Sequence, residues 1–200
     1  MRKLLILLLL IAAFVAFNDW RFRPVVHPPG ILVPTPPVQD NLGGSETFLY
    51  DEFTMTLRAR FDIQARVLGR ETYFLGTEAD LSPIDLALGW ERMSDQSIVD
   101  RISVRQAGRW YYTRYALPPP IPETEIIRSS ANMHMVPADP GIEKELKRLR
   151  PGDVVRIQGF LVDIDHESGW AWRTSMTRED TGQGACEIVY VEEILRLTGT

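Results

Sequence analysis

Three hydrogen-bonding side chains stand at every second residue of the stretch 129–136. Ser130, Asn132 and His134 alternate there with alanine and methionine. In an extended strand the two sets point to opposite faces, so we expect the polar set to share one surface. An imidazole with an ordinary pKa of about 6.5 can act as a general base. The surface is therefore a candidate ligand-binding or catalytic site, and the competing interpretation is a polar strand face whose histidine is only hydrogen-bonded or solvated.

The chain has one cysteine, Cys186. His134 precedes it, which is the order found in circularly permuted papain-like hydrolases. Asn132, Asp180 or Glu187 would then orient the imidazole. A nucleophilic cysteine usually lies at a helix N-terminus, which lowers the pKa of the thiol, whereas the residues after Cys186 are typical of a strand. The alternative is a small buried side chain in the core.

The polar segment 177–184 is dense in charged and amide residues and contains two glycines. Arg178 and Glu179 are candidate ligand-binding residues, and Asp180 is a candidate catalytic partner of His134, because loops on a rigid scaffold often carry function. A solvated hairpin whose glycines supply positive φ angles explains the same composition.

Aromatic rings and arginines are concentrated in the segment 105–115, where Gly108 predicts the turn of a hairpin. Trp110 and Tyr112 are candidate ligand-binding residues, since rings beside arginine stack on sugars or bind a partner chain. The alternative is that one face of each strand fills the core. We expect an envelope protein or a glycan as partner.

A calcium loop is suggested by the spacing of Asp163, Asp165 and Glu167 and is then excluded by the rest of the pattern. Ser168 stands where the loop needs glycine, and Thr174 stands where it needs a bidentate acid. The sequence contains no phosphate-binding loop, nucleophile elbow or dinucleotide fingerprint. We therefore predict no metal and no cofactor.

The N-terminus has the layout of a secretion signal: Arg2 and Lys3 precede an unbroken apolar run over residues 4–17. Phe14 stands where signal peptidase needs a small residue, so we expect an uncleaved transmembrane anchor over residues 1–23. Fourteen helical residues span about 21 Å of a hydrocarbon core roughly 30 Å thick. We expect single-pass insertion into the bacterial inner membrane, with the following domain in the periplasm.

Residues 24–45 form the predicted linker, and six prolines in 24–37 make it either an extended spacer or a segment that lies along the domain. The exported residues 24–200 carry 18 basic and 26 acidic side chains, a net charge of −8. This charge repels phosphate backbones, so nucleic acid is excluded as a partner.

Residues 46–200 are predicted as one β-rich α+β domain with an OB-like, barrel-like C-terminal half. Strict alternation over 53–67 predicts a long strand. Ser82 followed by Pro83, with Asp85 in the first turn, predicts a buried helix. Asp139-Pro140 predicts a second helix. A strand over 154–165 with a bulge beside Gly159, a strand over 170–176 and a final strand over 185–195 follow. A short helix over 94–102, an extended segment over 126–136 and a sub-boundary at 117–123 complete the prediction.

Three segments resemble motifs of an uncharacterised family of bacterial single-pass membrane-anchored proteins. They are LSPIDLALGW at 81–90, SSANMH at 129–134 and TREDTGQGACE at 177–187. The resemblance extends over most of residues 50–195. The family has no assigned activity, so the resemblance implies only that the three segments form one unit.

These observations predict a membrane-anchored, extracytoplasmic binding or assembly module of the bacterial envelope. The alternative is a hydrolase or transferase that uses His134 with Cys186, or His134 with Glu179 and Asp180. A third hypothesis, a small OB-like carrier of a cofactor, depends only on the fold and one histidine.

Overall fold

The computed structural model describes residues 2–177 and 186–197. Five α-helices, one short 3-10 helix and ten strands are defined in these ranges. The helices are α1 (Arg2–Arg21), α2 (Thr77–Leu81), α3 (Gln96–Val99), α4 (Glu123–Arg128) and α5 (Pro140–Leu146), with the 3-10 helix at Glu91–Ser94. The strands are β1 (Val38–Asn41), β2 (Thr47–Tyr50), β3 (Phe53–Thr72), β4 (Ile84–Gly89), β5 (Ile102–Ala107), β6 (Trp110–Tyr115), β7 (Ser130–Pro137), β8 (Val154–His166), β9 (Ala171–Trp172) and β10 (Glu187–Leu197).

Five strands close into a ring in the order β3, β4, β7, β10, β8 and back to β3. β7 and β10 run parallel, and the other neighbours in the ring are antiparallel. Strands β1 and β2 pair with β3, and β9 pairs with β8. The predicted strand-rich α+β domain is confirmed. The closed sheet begins at Phe53, however, so it is not confined to the C-terminal half.

The core of the ring is built by alternation along its strands. Every second residue of β3 from Ala59 to Val67 is buried, as the sequence predicted. Met133 and Met135 of β7 belong to the same apolar cluster. The opposite face of β4 and β7 is also covered, because the hairpin β5–β6 packs over it with a smaller apolar cluster that contains Ala87 and Ile102.

The predicted linker lies along the domain. Val33 is 1% exposed in the main core, and its N–H donates to Ser94 Oγ at 3.0 Å. Val25 N–H donates to Pro151 O at 2.8 Å. β1, which follows, pairs with β3 over four residues. Of the two expectations for residues 24–45, the docked segment is therefore the one observed.

The predicted helix from Ser82 is wrong. α2 ends at Leu81, and the following residues form β4, all six of which are buried. A strand covered on both faces carries apolar residues at consecutive positions, so its sequence lacks alternation and resembles a buried helix.

Other boundaries also differ from the prediction. The segment expected to be extended from residue 126 is a strand only from Ser130, because α4 ends at Arg128. The strand expected over 170–176 is reduced to the two residues of β9. Ile121, within the predicted sub-boundary, is buried beneath the hairpin. The hairpin itself and the helix after Asp139 are confirmed.

A ladder irregularity occurs beside Gly159, as predicted, but the extra residue lies in the partner strand. Gly159 pairs with Val191, and the next pair joins Gln158 to Glu193. A Cβ on Gly159 would come within 1.9 Å of Tyr190 O. The close approach of the two backbones therefore explains the glycine.

α1 exposes its apolar side chains; Leu4 to Leu10, for example, are each more than half exposed. Among the described residues, no helix meets the length and apolarity needed to cross a bilayer. The anchor predicted for residues 1–23 stays a prediction.

Candidate functional site

An acid and a histidine face each other across the antiparallel pair β4–β7. Asp85 is the register partner of His134. The Asp85 side chain is fully buried, and that of His134 is 5% exposed. His134 Nδ1 lies 2.9 Å from Asp85 Oδ1, but the ring is turned so that Nδ1 makes no hydrogen bond of acceptable geometry. Asp85 Oδ2 has no hydrogen-bond partner in the described part of the chain. The sheet therefore positions the two side chains, but part of their hydrogen-bonding capacity is unused.

Arg109 reaches this pair from the tip of the hairpin β5–β6. Gly108 and Arg109 have φ angles of 58° and 70° and link the paired residues Ala107 and Trp110. Positive φ at both central residues is typical of a type I′ turn, in which asparagine and glycine are preferred. The left-handed conformation costs a residue with a side chain about 1–2 kcal/mol. An arginine held there is a backbone outlier of the kind that clusters at functional sites.

The guanidinium of Arg109 contacts two carboxylates, a backbone carbonyl and an aromatic ring. Nη1 lies 2.7 Å from Asp85 Oδ1 and donates to Ser82 O at 2.9 Å. Nε lies 3.7 Å from Glu78 Oε2. The guanidinium carbon is 3.7 Å from the centroid of the Tyr73 ring. Arg109 therefore joins the hairpin tip, β4 and the connection from β3 to β4 around one buried carboxylate.

Tyr73 contacts Arg109 with both its ring and its hydroxyl group. Its hydroxyl oxygen accepts a hydrogen bond from Arg109 N–H at 3.0 Å. Burial, with the nearby charge of Asp85, raises the pKa of Tyr73 to about 12. The phenol consequently stays neutral at physiological pH.

The polar strand face predicted from the sequence exists, but the hairpin covers part of it. Asn132 Oδ1 accepts a hydrogen bond from Gln106 Nε2 at 2.7 Å, and Asn132 Nδ2 donates to Arg109 O at 3.1 Å. Ser130 Oγ lies 2.8 Å from Tyr111 Oη. Both side chains are buried. Their polar atoms hold the hairpin against β7, so neither is presented to a ligand.

Cys186 lies on the same side of the sheet. Its Sγ is 3.9 Å from Asn132 Nδ2 and 3.8 Å from Arg109 O. Burial raises the pKa of the thiol to about 11. A thiol with this pKa is protonated at neutral pH and is a poor nucleophile. No hydrogen bond joins Cys186 to His134 among the described residues, so the geometry gives no support to a cysteine–histidine pair.

A cavity of about 380 Å³ opens where these groups meet. Its lining includes Trp110, Trp172, His134 and Cys186, with Glu78, Gly108, Arg109 and Arg173 completing it. The imidazole of His134 packs against Trp172 with ring centroids 4.7 Å apart. Arg173 Nη2 donates to Asp165 Oδ1 at 2.5 Å. The volume falls in the usual range for small-molecule sites, about 300–1,000 Å³.

The structure brings together some of the predicted site residues and separates others. Trp110, His134 and Cys186 share the cavity. Tyr112, on the same strand face as Trp110, is 55% exposed and lies outside it. Glu187 is the register partner of Met133, so it lies on the opposite face of the sheet from His134. Arg178, Glu179 and Asp180 lie outside the described residues.

The role of Asp85 in the site is not predicted from the sequence, because the pattern around it predicts the first turn of a helix and the structure places it in β4 opposite His134. A single acid within the apolar run IDLALG was the available signal, because a buried carboxylate needs a partner. Arg109 and Trp172 carried no signal of a site beyond the enrichment in aromatic residues and arginine.

No protein-family model, no curated protein and no solved structure matches this chain. Within residues 2–177 and 186–197, no group of three or more histidine, cysteine or acidic side chains is placed to hold a metal ion.

Proposed function

We propose that the chain is a membrane-anchored, extracytoplasmic binding module of the bacterial envelope whose ligand is a small glycan. The observation that carries the proposal is the cavity lined by Trp110 and Trp172 above His134. Indole rings bury a large apolar face and stack on sugar rings. The imidazole and the charged rim supply the few polar groups that orient a ligand in such a site.

The topology of the ring supports the same ligand class by analogy of fold. We infer an OB-type barrel, because five strands close with a helix, α5, between the third and fourth of them. OB barrels bind oligonucleotides and oligosaccharides over their second and third strands and between the first and last connecting loops. In this domain the second and third strands of the ring are β4 and β7. Glu78 lies in the connection from β3 to β4, and Trp172 lies in the connection from β8 to β10. Both residues line the cavity, together with His134 of β7.

Charge favours a glycan over a nucleic acid in this cavity. Both arginines of the lining are already paired, Arg109 with Asp85 and Arg173 with Asp165. Residues 24–200 carry a net charge of −8. Binding a phosphate backbone needs unpaired cations that release counterions, and a neutral sugar does not.

A second candidate function follows from the 2.9 Å approach of Asp85 to His134. A buried carboxylate beside Nδ1 orients an imidazole so that the other ring nitrogen can accept a proton from water or a substrate hydroxyl. In that case the protein is a hydrolase or transferase in which Asp85, rather than Cys186, is the partner of His134.

The anchor remains part of the proposal. The exposed leucines of α1 support insertion into the inner membrane. Arg2 and Lys3 ahead of them favour a cytoplasmic N-terminus and a periplasmic domain, while Arg21 and Arg23 after them reduce the charge asymmetry.

The test is a titration of the full chain, in neutral detergent, with N-acetylglucosamine oligosaccharides while tryptophan fluorescence is recorded. We expect W110A to lose at least about fivefold in affinity, if a sugar gains as much as a base does by stacking on an aromatic side chain, which is about 1–3 kcal/mol. Y112A is the matched control, because Tyr112 is an exposed ring two residues away that does not line the cavity. Equal losses in both variants, or no saturable signal in the wild type, would contradict the proposal.

The same oligosaccharide distinguishes the two candidate functions. A binding module returns the oligosaccharide unchanged, as mass spectrometry would show after long incubation. A hydrolase shortens it, and H134N then abolishes the cleavage while the variant stays folded.

A further inference from the structure

The face of the domain next to α1 is fixed by the start of the linker. Only three residues separate Arg21, where α1 ends, from Val25, whose N–H donates to Pro151 O at 2.8 Å. Four residue steps span at most about 14 Å. The guanidinium carbon of Arg70 lies 4.2 Å from the ring centroid of Phe22, so contact with the domain begins one residue after the helix.

Gly152 makes this docking tight. His27 Nε2 lies 2.7 Å from Gly152 O. Gly152 has a φ angle of +90°, and a Cβ there would come within 1.9 Å of Val25 O. The residues that follow α1 therefore lie directly on the turn between α5 and β8.

Basic side chains cluster around this contact. A surface cavity of about 620 Å³ is lined by Arg21, Arg23, Arg148, Arg150 and Arg196, with Trp20 and Glu145. A neighbouring cavity of about 400 Å³ adds Lys144 and Lys147, with Glu143. The two linings together hold seven basic and two acidic side chains. A chain with net charge −5 thus concentrates positive charge at one place.

Some of these charges are paired within the protein. Arg148 contacts Glu145 at 2.7 Å, and Lys147 contacts Glu143. Arg150 and Arg196 both approach Asp153, at 3.6 and 3.5 Å. Arg23 and Lys144 form no salt bridge with any described residue. The seven basic and two acidic residues give the two linings a net charge of +5. Asp153, beside Arg150 and Arg196, lowers the local net charge to +4.

We propose that this basic face binds the headgroups of anionic phospholipids beside the anchor. The face is defined by Arg23, Lys144, Lys147, Arg148, Arg150 and Arg196. Guanidinium groups donate two parallel hydrogen bonds to a phosphate, which makes arginine well suited to this ligand. Trp20, 63% exposed, lies at the same end of α1, where indole rings favour the membrane interface. The inference depends on the proposed anchor for its location.

The occupant is a lipid rather than a nucleic acid because of where the charge lies. Val25, which contacts the domain at Pro151, is within about 14 Å of the end of α1 by chain length. Trp20 and Arg21 of α1 share a cavity lining with Arg148, Arg150 and Arg196, whereas the remainder of the domain is acidic. Juxtamembrane cations gain about 1 kcal/mol each near an anionic surface, and salt screens this attraction over about 8 Å. The cluster would therefore hold the domain close to the bilayer in a fixed orientation.

The experiment titrates the purified full chain, in neutral detergent micelles, with phosphatidylglycerol and with phosphatidylcholine. We expect saturable binding of phosphatidylglycerol only, and its loss at high salt. The variant K144Q/R148Q should bind about 25-fold more weakly, since each charge is worth about fivefold at 1 kcal/mol. The matched control R105Q/R114Q removes two exposed arginines of the hairpin that line neither cavity, and it should bind as the wild type does.

Three results would overturn the inference. They are equal losses in the two double variants, binding of free glycerol phosphate as tight as that of the lipid, and preferential binding of a duplex oligonucleotide. A separate experiment tests the anchor: if α1 does not insert, the full chain is released from neutral phosphatidylcholine vesicles. Because the micelle titration does not require insertion, the two failures are distinguishable.

Discussion

The contact between Arg109 and Asp85 should dominate the stability of the candidate site. Arg109→Met keeps an unbranched apolar stem but removes the guanidinium group and its charge. The Asp85 carboxylate, which is fully buried, then keeps a 3.5 Å hydrogen bond from Ser82 Oγ and the poorly aligned contact with His134, and it has no cationic partner at Arg109. Removal of one member of a buried ion pair leaves an uncompensated charge and costs about 3–5 kcal/mol. At about 2–4 °C per kcal/mol for a chain of this size, the melting temperature should fall by roughly 10 °C.

A second substitution at the same position separates the ion pair from the backbone. Arg109 has a φ angle of 70°. Arg109→Gly loses the same ion pair but relieves a left-handed conformation that costs about 1–2 kcal/mol. The added chain entropy of glycine offsets about 0.5–1 kcal/mol of that gain. R109G should therefore be more stable than R109M by roughly 0.5–1 kcal/mol, although glycine in the interior of a helix or strand is normally destabilising.

The assay is urea unfolding of the full chain in neutral micelles, followed by tryptophan fluorescence. R114M is the control, because Arg114 is exposed on β6 of the same hairpin and should change the free energy of unfolding by no more than about 0.5 kcal/mol. If R109M loses less than about 1 kcal/mol, the buried pair does not hold the site together. If R109G is less stable than R109M, the conformation of the turn has been misjudged.

Three further predictions concern other parts of the molecule. Alkylation of Cys186 should accelerate about tenfold per pH unit from pH 7 to 10, because burial raises the pKa of the thiol to about 11; levelling below about pH 9 contradicts this. G152A should cost at least about 2 kcal/mol and speed trypsin cleavage after Arg21, because a Cβ displaces Val25; unchanged proteolysis would show that the linker is held elsewhere. Hydrogen bonds from Arg156 lower the pKa of Asp62; its contribution is present above the unfolded pKa of about 3.9 and is lost as pH falls through the lower folded value. D62N should therefore lose stability less steeply below pH 4 than the wild type, and identical acid limbs would refute this.

The parts of the fold that follow from local pattern were predictable. β3 has one buried and one partly wet face, so its alternation is visible in the sequence. The helix after Asp139 has a capping carboxylate that accepts from Gly141 and Ile142 N–H groups, and the hairpin has its turn at Gly108. Each of these signals depends only on residues near one another in the chain.

β4 and the acid in it could not be predicted in the same way. β4 is buried on both faces because the hairpin β5–β6, which follows it in the chain, packs back over it. The alternation of buried and exposed residues is therefore absent from β4, and the sequence around Asp85 resembles the first turn of a helix. The partners of Asp85 lie 24 and 49 residues away, in Arg109 and His134. The pairing of β4 with β7 and the packing of the hairpin β5–β6 over them bring these three together.

The central claim is that the cavity above His134 is the ligand site, and Cys186 offers a direct test of it. Cys186 is the only cysteine of the chain and lines the cavity. The measurement is its alkylation rate by iodoacetamide at about pH 9, with increasing N-acetylglucosamine oligosaccharide. We expect the rate to fall in proportion to occupancy, with the same midpoint as the fluorescence titration. An unchanged rate at concentrations that saturate the fluorescence would place the ligand elsewhere and contradict the account.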